Sequence, residues 1–349
     1  IGNPITGKIA HDEAGNPIRI PGSCKGVKAI GWYIEEYGLA QISMNITDTN
    51  ATALHQAFEA CRNSANQRGL RVSGSELVGM VPLQVMLDAG KYFLGQQKRS
   101  LGISEEEIIK IAVKSLGLDE LGPFDPQQKI IEYQLRATEN NPLVAMNLRA
   151  FADETASESP APGGGSIAAY IGALGASLGT MVANLSSHKR GWDDRWEEFS
   201  QWAEKGQQLK DELLRLVDED TRSFEALMDA FRLPKKSEEE KANRSQAIQE
   251  ATKGAMLAPF RVMEVAHEIF PLCRAMAEHG LPASVSDAGV GALCARAAIH
   301  GAFLNVKINA ADLKDLAFKE EMLSKGSTLI EAANHEESDI MQMVNGVIG

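Results

Sequence analysis

The chain has 349 residues, with 35 Lys and Arg against 47 Asp and Glu, so its formal charge is −12. Hydrophobic residues make up 44% and charged residues 23%, the proportions of a globular protein, and the length predicts two domains, or three at most. An acidic balance speaks against nucleic acid as the main partner, because a phosphate backbone requires clustered cations, but it leaves room for a local basic pocket. Cys24, Cys61, Cys273 and Cys294 form no CxxC pair and read as free thiols of a reducing compartment. The seven histidines show no HExxH and no tight His/Cys spacing, so no metal site is predicted. Ile1-Gly2-Asn3-Pro4 is neither a signal peptide nor an initiator Met, and the expectation is a chain that starts inside a longer protein.

In chain order, Val27–Ile34 and Leu39–Ile46 are β-rich runs around the turn Glu36-Tyr37-Gly38, which predicts a hairpin. Residues 52–68 carry helical spacing (Leu54, Phe58, Cys61, Ala65) and stop at Gly69. Residues 70–81 look strand-like, and Pro82 opens a helix through Phe93. Ser104-Glu105-Glu106-Glu107 is a capping box for a helix through Leu116, and residues 130–135 are expected to form a closing strand. This half is predicted as an α/β sandwich layer over residues 1–136. Residues 137–142 read as a linker, polar and closed by Pro142.

From 143 to 349 no strand is predicted and the patterns are helical: 143–155, 167–185, a long amphipathic helix over 194–231 ended by Leu233-Pro234, and a helix opened by the capping box Ser237-Glu238-Glu239-Glu240. Pro259 is expected to kink or break that helix. Further helices are expected to about Glu278, over 287–303 and over 311–347. The fold class is therefore α+β, a sandwich layer followed by an all-α bundle. The uncharged stretch 167–185 is long enough to raise a transmembrane question. Its small-residue ladder Ala168, Gly172, Ala176, Thr180 and its few large aliphatics are better explained by a central bundle helix, so no membrane span is predicted.

Two local features point to chemistry. Pro160-Ala161-Pro162-Gly163-Gly164-Gly165-Ser166 runs into a helix, where glycines allow close backbone approach and free N–H donors favour an anionic or polar ligand edge. With neither a preceding strand nor a GK[ST] ending, it is not a nucleotide loop, and a flexible entry to a tightly packed helix explains it equally well. On the long helix, Leu213, Leu216, Phe224, Leu227 and Phe231 form an apolar stripe whose gap is filled by Asp220, while Asp218 and Glu219 lie off the stripe. A carboxyl on a core-facing stripe is costly to ionise, and desolvation moves its pKa toward the range of a general acid/base. The same placement suits an Asp paired with an Arg or capping another helix. Asp287, after Ser284-Val285-Ser286, reads as a helix N-cap. Asn305 and Asn309 are candidates to line a pocket or to satisfy backbone groups. His188-Lys189-Arg190 is a short basic cluster, a solvated turn or a grip for ligand carboxylates, and Trp192, Trp196 and Trp202 are expected to pack the bundle or an interface.

Ala161-Pro162-Gly163-Gly164-Gly165-Ser166, Leu216-Val217-Asp218-Glu219-Asp220 with Phe224, Leu233-Pro234-Lys235, Ser286-Asp287 and Asn305-Val306-Lys307-Ile308-Asn309 resemble the cyclodeaminase domain of the formimidoyltransferase-cyclodeaminase family. Upstream, Ala29-Ile30-Gly31-Trp32-Tyr33, Leu39-Ala40-Gln41, Gly74-Ser75-Glu76-Leu77-Val78-Gly79, Pro82-Leu83 and Pro123-Phe124-Asp125-Pro126 resemble the C-terminal subdomain of the family's transferase. The likeness covers nearly the whole chain in family order. It implies domains at 1–136 and 143–349. The family's N-terminal transferase subdomain, which carries its catalytic His, has no counterpart in residues 1–30. His11 and His55 do not sit in its motif, so the chain is expected not to transfer formimidoyl groups by itself.

The resemblance implies a cytoplasmic bifunctional enzyme of histidine breakdown and one-carbon metabolism. Its transferase moves a formimidoyl group from N-formimidoyl-L-glutamate to tetrahydrofolate. Its cyclodeaminase turns 5-formimidoyltetrahydrofolate into 5,10-methenyltetrahydrofolate and ammonia. The implied substrate carrier is tetrahydrofolate, polyglutamylated, with no metal, and the implied assembly is a ring-like homo-octamer. Asp220 matches the family's catalytic acid/base position. Gly163, Gly164, Gly165 and Ser166 become a wall of the folate pocket, His188, Lys189 and Arg190 candidates for the folate glutamates, and Asp287, Asn305 and Asn309 further substrate contacts. Rival readings are a methenyltetrahydrofolate cyclohydrolase on the same bundle and a non-catalytic folate-holding oligomerisation module.

Overall fold

A computed structural model of the chain describes residues 8–18, 22–136 and 141–349. Ile1-Gly2-Asn3-Pro4 and most of the expected linker, 137–140, lie outside the described residues. The chain divides into two compact units, one within Ile1–Phe93 and Glu105–Arg136, the other within Leu94–Ser104 and Ala137–Gly349. The segment 94–104 thus belongs with the helical half, which a cut at a single linker does not anticipate.

In the first unit, β1 (Val27–Ile34) and β2 (Leu39–Ile46) form the expected antiparallel hairpin, with Ile34 opposite Leu39 and Val27 opposite Ile46. Helices follow: α1 (Leu54–Asn66), α2 (Leu83–Gln96, its residues from Leu94 on counted with the second unit), α3 (Glu105–Leu116), α4 (Pro126–Lys129) and α5 (Ile131–Arg136). The two further strands expected at 70–81 and 130–135 do not form. Val81 and Ile130 make a single parallel bridge, with Val81 N donating to Lys129 O and Ile131 N to Val81 O. Pro82 has no N–H with which to extend that ladder, and the chain after Ile130 turns into α5, whose first-turn Glu132 accepts the Leu83 N–H at 2.6 Å. The unit is α+β: its sheet has two strands among the described residues, and Met86, Ala89, Ile109, Ala112, Leu116 and Ile130 build its core.

The second unit is the expected all-α bundle: α6 (Leu148–Thr155), α7 (Gly164–Ser187), α8 (Trp196–Arg232), α9 (Glu238–His267), α10 (Ile269–His279), α11 (Val285–Ala310) and α12 (Leu316–Ile348). Residues 143–146 are turns rather than the start of a helix. The reason is Asp218, which accepts the main-chain N–H groups of Leu143 at 3.0 Å and Val144 at 3.2 Å and so holds that segment against α8. α7 lies between α8 and α11, and its ladder Ala168, Gly172, Ala176, Thr180 is buried throughout. Backbones meet at Gly175, where a Cβ would stand 2.9 Å from Gly291 O. α7 and Pro282–Ala310 are apolar and long enough to cross a membrane by length and composition, but 61% of the α7 window is buried inside the bundle. The Ser237 box forms as predicted: Ser237 Oγ accepts from Glu240 N at 3.1 Å and Glu240 Oε2 from Ser237 N at 3.0 Å.

α9 runs unbroken through Pro259, so of the expected kink or break the break does not occur. A proline at 259 leaves the carbonyl of Ala255 without its helical donor. Asn309 supplies that donor from α11, its Nδ2 lying 2.8 Å from Ala255 O. The aromatic expectation holds for two of three tryptophans: Trp192 stacks on Phe199 with centroids 5.6 Å apart, and both Trp192 and Trp202 pack on the cluster of Val182, Phe199 and Leu272. The cysteines are free thiols.

Candidate active site

α8 carries its apolar stripe into the core through Leu213 and Leu216, both buried, and then delivers Asp220 to the first turn of α7. That turn fits the carboxyl closely. A Cβ at position 165 would overlap it, 2.6 Å from Oδ2 and closer still to Oδ1, so only glycine leaves the space. Ser166, fully buried, donates its Oγ–H within 3.1 Å of Asp220 Oδ2, and its main-chain N–H is hydrogen-bonded to the same carboxyl. The N-cap residue of α7, Gly163, has no side chain to offer, and Asp220 supplies the missing acceptor from a neighbouring helix.

Burial raises the Asp220 pKa above the ordinary aspartate value, while the side-chain and main-chain hydrogen bonds from Ser166 pull it down. The positive end of the α7 macrodipole acts in the same downward sense. The result is a half-buried carboxyl in which desolvation wins and the proton is held more tightly than in water. Such a group holds a proton more readily than a solvated aspartate and can return it, which is what a general acid/base needs.

Beside it a groove of about 330 Å³ opens from Thr221, one residue past Asp220, along Phe224 and Met228, with Pro160 and Ala161 as the opposite wall. Phe224 is 38% exposed and Phe231 44%, so the stripe leaves the core after Asp220. The aromatic ring expected inside is instead a wall of the groove. Asp218, expected off the stripe, is 2% exposed. The Leu143–Met146 turns cover a second side of α8 there, widening its buried face beyond one stripe. Glu219 is half-buried and pairs with Arg215 and Arg222. Sequence reasoning missed Thr221 and the role of Asp218. The signal available for Thr221 was its place next to Asp220, with its Oγ1 3.4 Å from Ser166 Oγ.

Of the other expected residues, Asn305 is brought to this end of the bundle. A Cβ at Gly164 would stand 3.2 Å from its Nδ2, and the amide donates to Gly301 O at 2.9 Å. The four-residue wall divides. Gly165 and Ser166 are buried against Asp220 and present no surface to a ligand, leaving Gly163 and Gly164 as the accessible part. None of the three glycines has a positive φ. Asn309 has its amide nitrogen committed to Ala255 O, a structural tie to α9. Asp287 is not an N-cap: α11 starts one turn earlier, after Ser284, and Asp287 sits in its first turn. Eighteen residues of α11 separate it from Asn305, about 27 Å at ~1.5 Å per residue. His188, Lys189 and Arg190 follow the last turn of α7, twenty-two to twenty-four residues beyond Ser166, hence about 33 Å or more away. His188 Nε2 accepts the Ser100 N–H at 3.1 Å, and its pKa is lowered by desolvation and by Arg99. A neutral ring used as an acceptor is not a grip for carboxylates. Among the described residues no group of three His, Cys, Asp or Glu side chains is placed to hold a metal ion.

The family described as "Formiminotransferase-cyclodeaminase" matches residues 147–328, and the "Formiminotransferase domain" matches residues 5–136. The formimidoyltransferase-cyclodeaminase of Rattus norvegicus is 37% identical over 322 residues, covering 92% of this chain and 59% of the rat protein. The methenyltetrahydrofolate cyclohydrolase of Methylorubrum extorquens is 38% identical over 201 residues, 58% of this chain and 97% of that enzyme. A solved structure, the formiminotetrahydrofolate cyclodeaminase of Thermotoga maritima, superimposes with a TM-score of 0.53 at 27% identity, covering 59% of this chain and 98% of that one. The chain spans about three-fifths of the length of the bifunctional relatives it matches. With a two-stranded α+β unit matching the transferase domain, and a helical bundle that matches the cyclodeaminase domain and seats Asp220 on the first turn of α7, this chain belongs to the formiminotransferase-cyclodeaminase family.

Proposed function

We propose that the helical unit is a cyclodeaminase that closes 5-formimidoyltetrahydrofolate to 5,10-methenyltetrahydrofolate and releases ammonia, with Asp220 as its proton carrier. In this reaction the aminobenzoyl nitrogen attacks the carbon of the protonated amidine, so a new C–N bond forms as the C=N double bond opens and leaves an –NH2 group on that carbon. Asp220 in its ionised form takes the proton from the attacking nitrogen, then returns it to the departing amine as the second C–N bond breaks. One carboxyl serves both steps, and the oxidation state of carbon is unchanged. General acid/base work of this kind contributes typically ~10²–10⁴-fold. The observation that carries the reading is the half-buried Asp220 carboxyl with a raised pKa, adjoining a groove with an exposed aromatic wall at Phe224. A flat pteridine suits such a wall.

In the intact protein this unit would act with the formimidoyltransferase in cytoplasmic histidine breakdown, as a homo-octamer on polyglutamylated folate. The names of the full-length relatives support the pairing of activities. Exposed apolar residues along one side of α11, Val290, Leu293, Leu304 and Ile308, support self-association, which light scattering on the purified chain tests.

A second reading is methenyltetrahydrofolate cyclohydrolase, favoured by the relative matched over 97% of its length. Supplying the chain with 5-formimidoyltetrahydrofolate and with 5,10-methenyltetrahydrofolate in parallel separates the two. Ammonia release from the first supports the cyclodeaminase. Hydrolysis of the second without ammonia from the first overturns it.

A further inference from the structure

Ser166 has one hydroxyl proton and three oxygens within reach: Val217 O at 2.9 Å, Asp220 Oδ2 at 3.1 Å and, farther off, Thr221 Oγ1 at 3.4 Å. It is fully buried, so water cannot stand in for either of the two shorter bonds. With Asp220 ionised, the hydroxyl gains most by donating to the carboxylate, since a charge-assisted hydrogen bond is roughly twice as strong as a neutral one. With Asp220 protonated on Oδ2, the carboxyl O–H donates to Ser166 Oγ, and the serine proton turns to Val217 O. Both arrangements use the same heavy-atom positions, and in each the buried oxygens keep their partners.

We propose that Ser166 is a positioning residue for Asp220, a hydroxyl rotor that swings between Asp220 Oδ2 and the Val217 carbonyl so that each protonation state of the carboxyl finds a partner already in place. This rests on the reading of Asp220 as proton carrier, and it removes Ser166 from the folate contacts. A carrier must be stable in both forms within one turnover. Without the rotor, Asp220 Oδ2 loses its hydroxyl partner in both forms.

No neighbouring charge takes over this task. Ahead of Tyr170, α7 has no titratable side chain. On α8, Asp218 serves Leu143 and Val144, Glu219 pairs with Arg215 and Arg222, Glu225 lines the groove, and Asp229 pairs with Arg232. On α9, Arg244 donates to Phe231 O and Lys253 pairs with Asp315. On α11, Lys307 lies over the Phe303 ring, 4.2 Å from its centroid. Burial and the Ser166 hydrogen bonds are what set the Asp220 pKa.

The test uses Ser166→Ala and Ser166→Thr in the full chain, with two readouts. Difference infrared titration against Asp220→Asn follows the Asp220 carboxyl without reference to activity. The pH profile of ammonia release from 5-formimidoyltetrahydrofolate follows turnover. Ser166→Ala is expected to raise the Asp220 pKa by ~1 unit, to move the acid limb of the profile by the same amount and to lower kcat about tenfold with KM within about threefold. Ser166→Thr, which keeps the hydroxyl, returns both toward wild type. An unmoved carboxyl titration in Ser166→Ala overturns the rotor, as does a loss expressed mainly in KM, which would make Ser166 a substrate contact. A wild-type chain that releases no ammonia overturns the functional reading instead, and the infrared titration then decides the rotor alone.

Discussion

The first turn of α7 meets a carboxyl from α8, whereas the chain just past its last turn presents an imidazole that accepts the main-chain N–H of Ser100. Both groups are shifted by desolvation, in opposite directions: Asp220 upward, His188 downward, each toward its neutral form. At the first end the helix itself supplies donors, so an ionised carboxylate remains affordable and the proton can come and go. At the second end the neutral imidazole is already spent as an acceptor, holding the 94–104 segment. The two ends teach that a cluster of polar residues in sequence is not yet a site. What separates them is whether the surrounding backbone can satisfy both protonation states of the group.

The largest effect expected from breaking this contrast is in Asp220→Asn. Ammonia release from 5-formimidoyltetrahydrofolate should fall by ~10²–10⁴-fold with folate binding retained, as measured by turnover beside equilibrium titration of the substrate. Wild-type turnover in that variant removes the mechanism. Gly165→Ala attacks the same seat by volume. Its Cβ would occupy the position of the carboxyl, so turnover should be lost together with ~1–3 kcal/mol of stability, read from urea midpoints. An active, fully stable Gly165→Ala protein would show that the seat is loose.

A smaller effect concerns the bridge from α11 to α9. Asn309→Leu should cost about 1–3 kcal/mol by orphaning the Ala255 carbonyl. Pro259→Ala restores a helical donor, so the double variant should lose less than the sum of the single changes. Additive losses would place the value of Asn309 elsewhere.

Asp220 also makes a pH prediction. Its folded pKa lies above its unfolded value, so the native state binds the proton more tightly and stability falls as pH rises from about 4 through the folded pKa. Asp220→Asn lacks this loss. Its stability relative to wild type should therefore grow with pH across that window, and a flat difference in thermal midpoints would contradict the raised pKa. The smallest effect belongs to the other end of α7. Lys189→Ala with Arg190→Ala should leave KM for a monoglutamyl substrate within about twofold, because about 33 Å lies between them and Asp220. A large rise in KM would return the basic cluster to the site.

Much of this organisation was legible in the residues. The hairpin, the bundle and the Ser237 cap follow from local chemistry: alternating β-rich runs, 3.6-residue periodicity, and a Ser three residues before a Glu. Asp220 stood out because a carboxyl in an apolar stripe is a local contradiction, and such contradictions mark either a site or a cap. Here both descriptions apply to one side chain. The failures are of another kind. Residues 70–81 and 130–135 carry strand composition, but their pairing ended at one bridge because Pro82 and α5 intervene. Phe224 continues a stripe whose covering partner ends, so it lines a groove. Asp218 is buried by a turn from seventy-five residues earlier.

From its sequence alone this protein determined the long helices of its second half, that a small α+β region precedes a helical bundle, and that position 220 holds a carboxyl where an aliphatic belonged. These depend on neighbours within a turn or two of the chain. Only tertiary structure decided that Gly165 is the space for that carboxyl, that Ser166 faces it rather than a ligand, that Asn309 repairs the helix at Pro259, and that the basic cluster lies at the far end of α7. The first three are contacts between residues more than fifty positions apart. Packing and desolvation act across such distances in sequence, and local patterns do not record them.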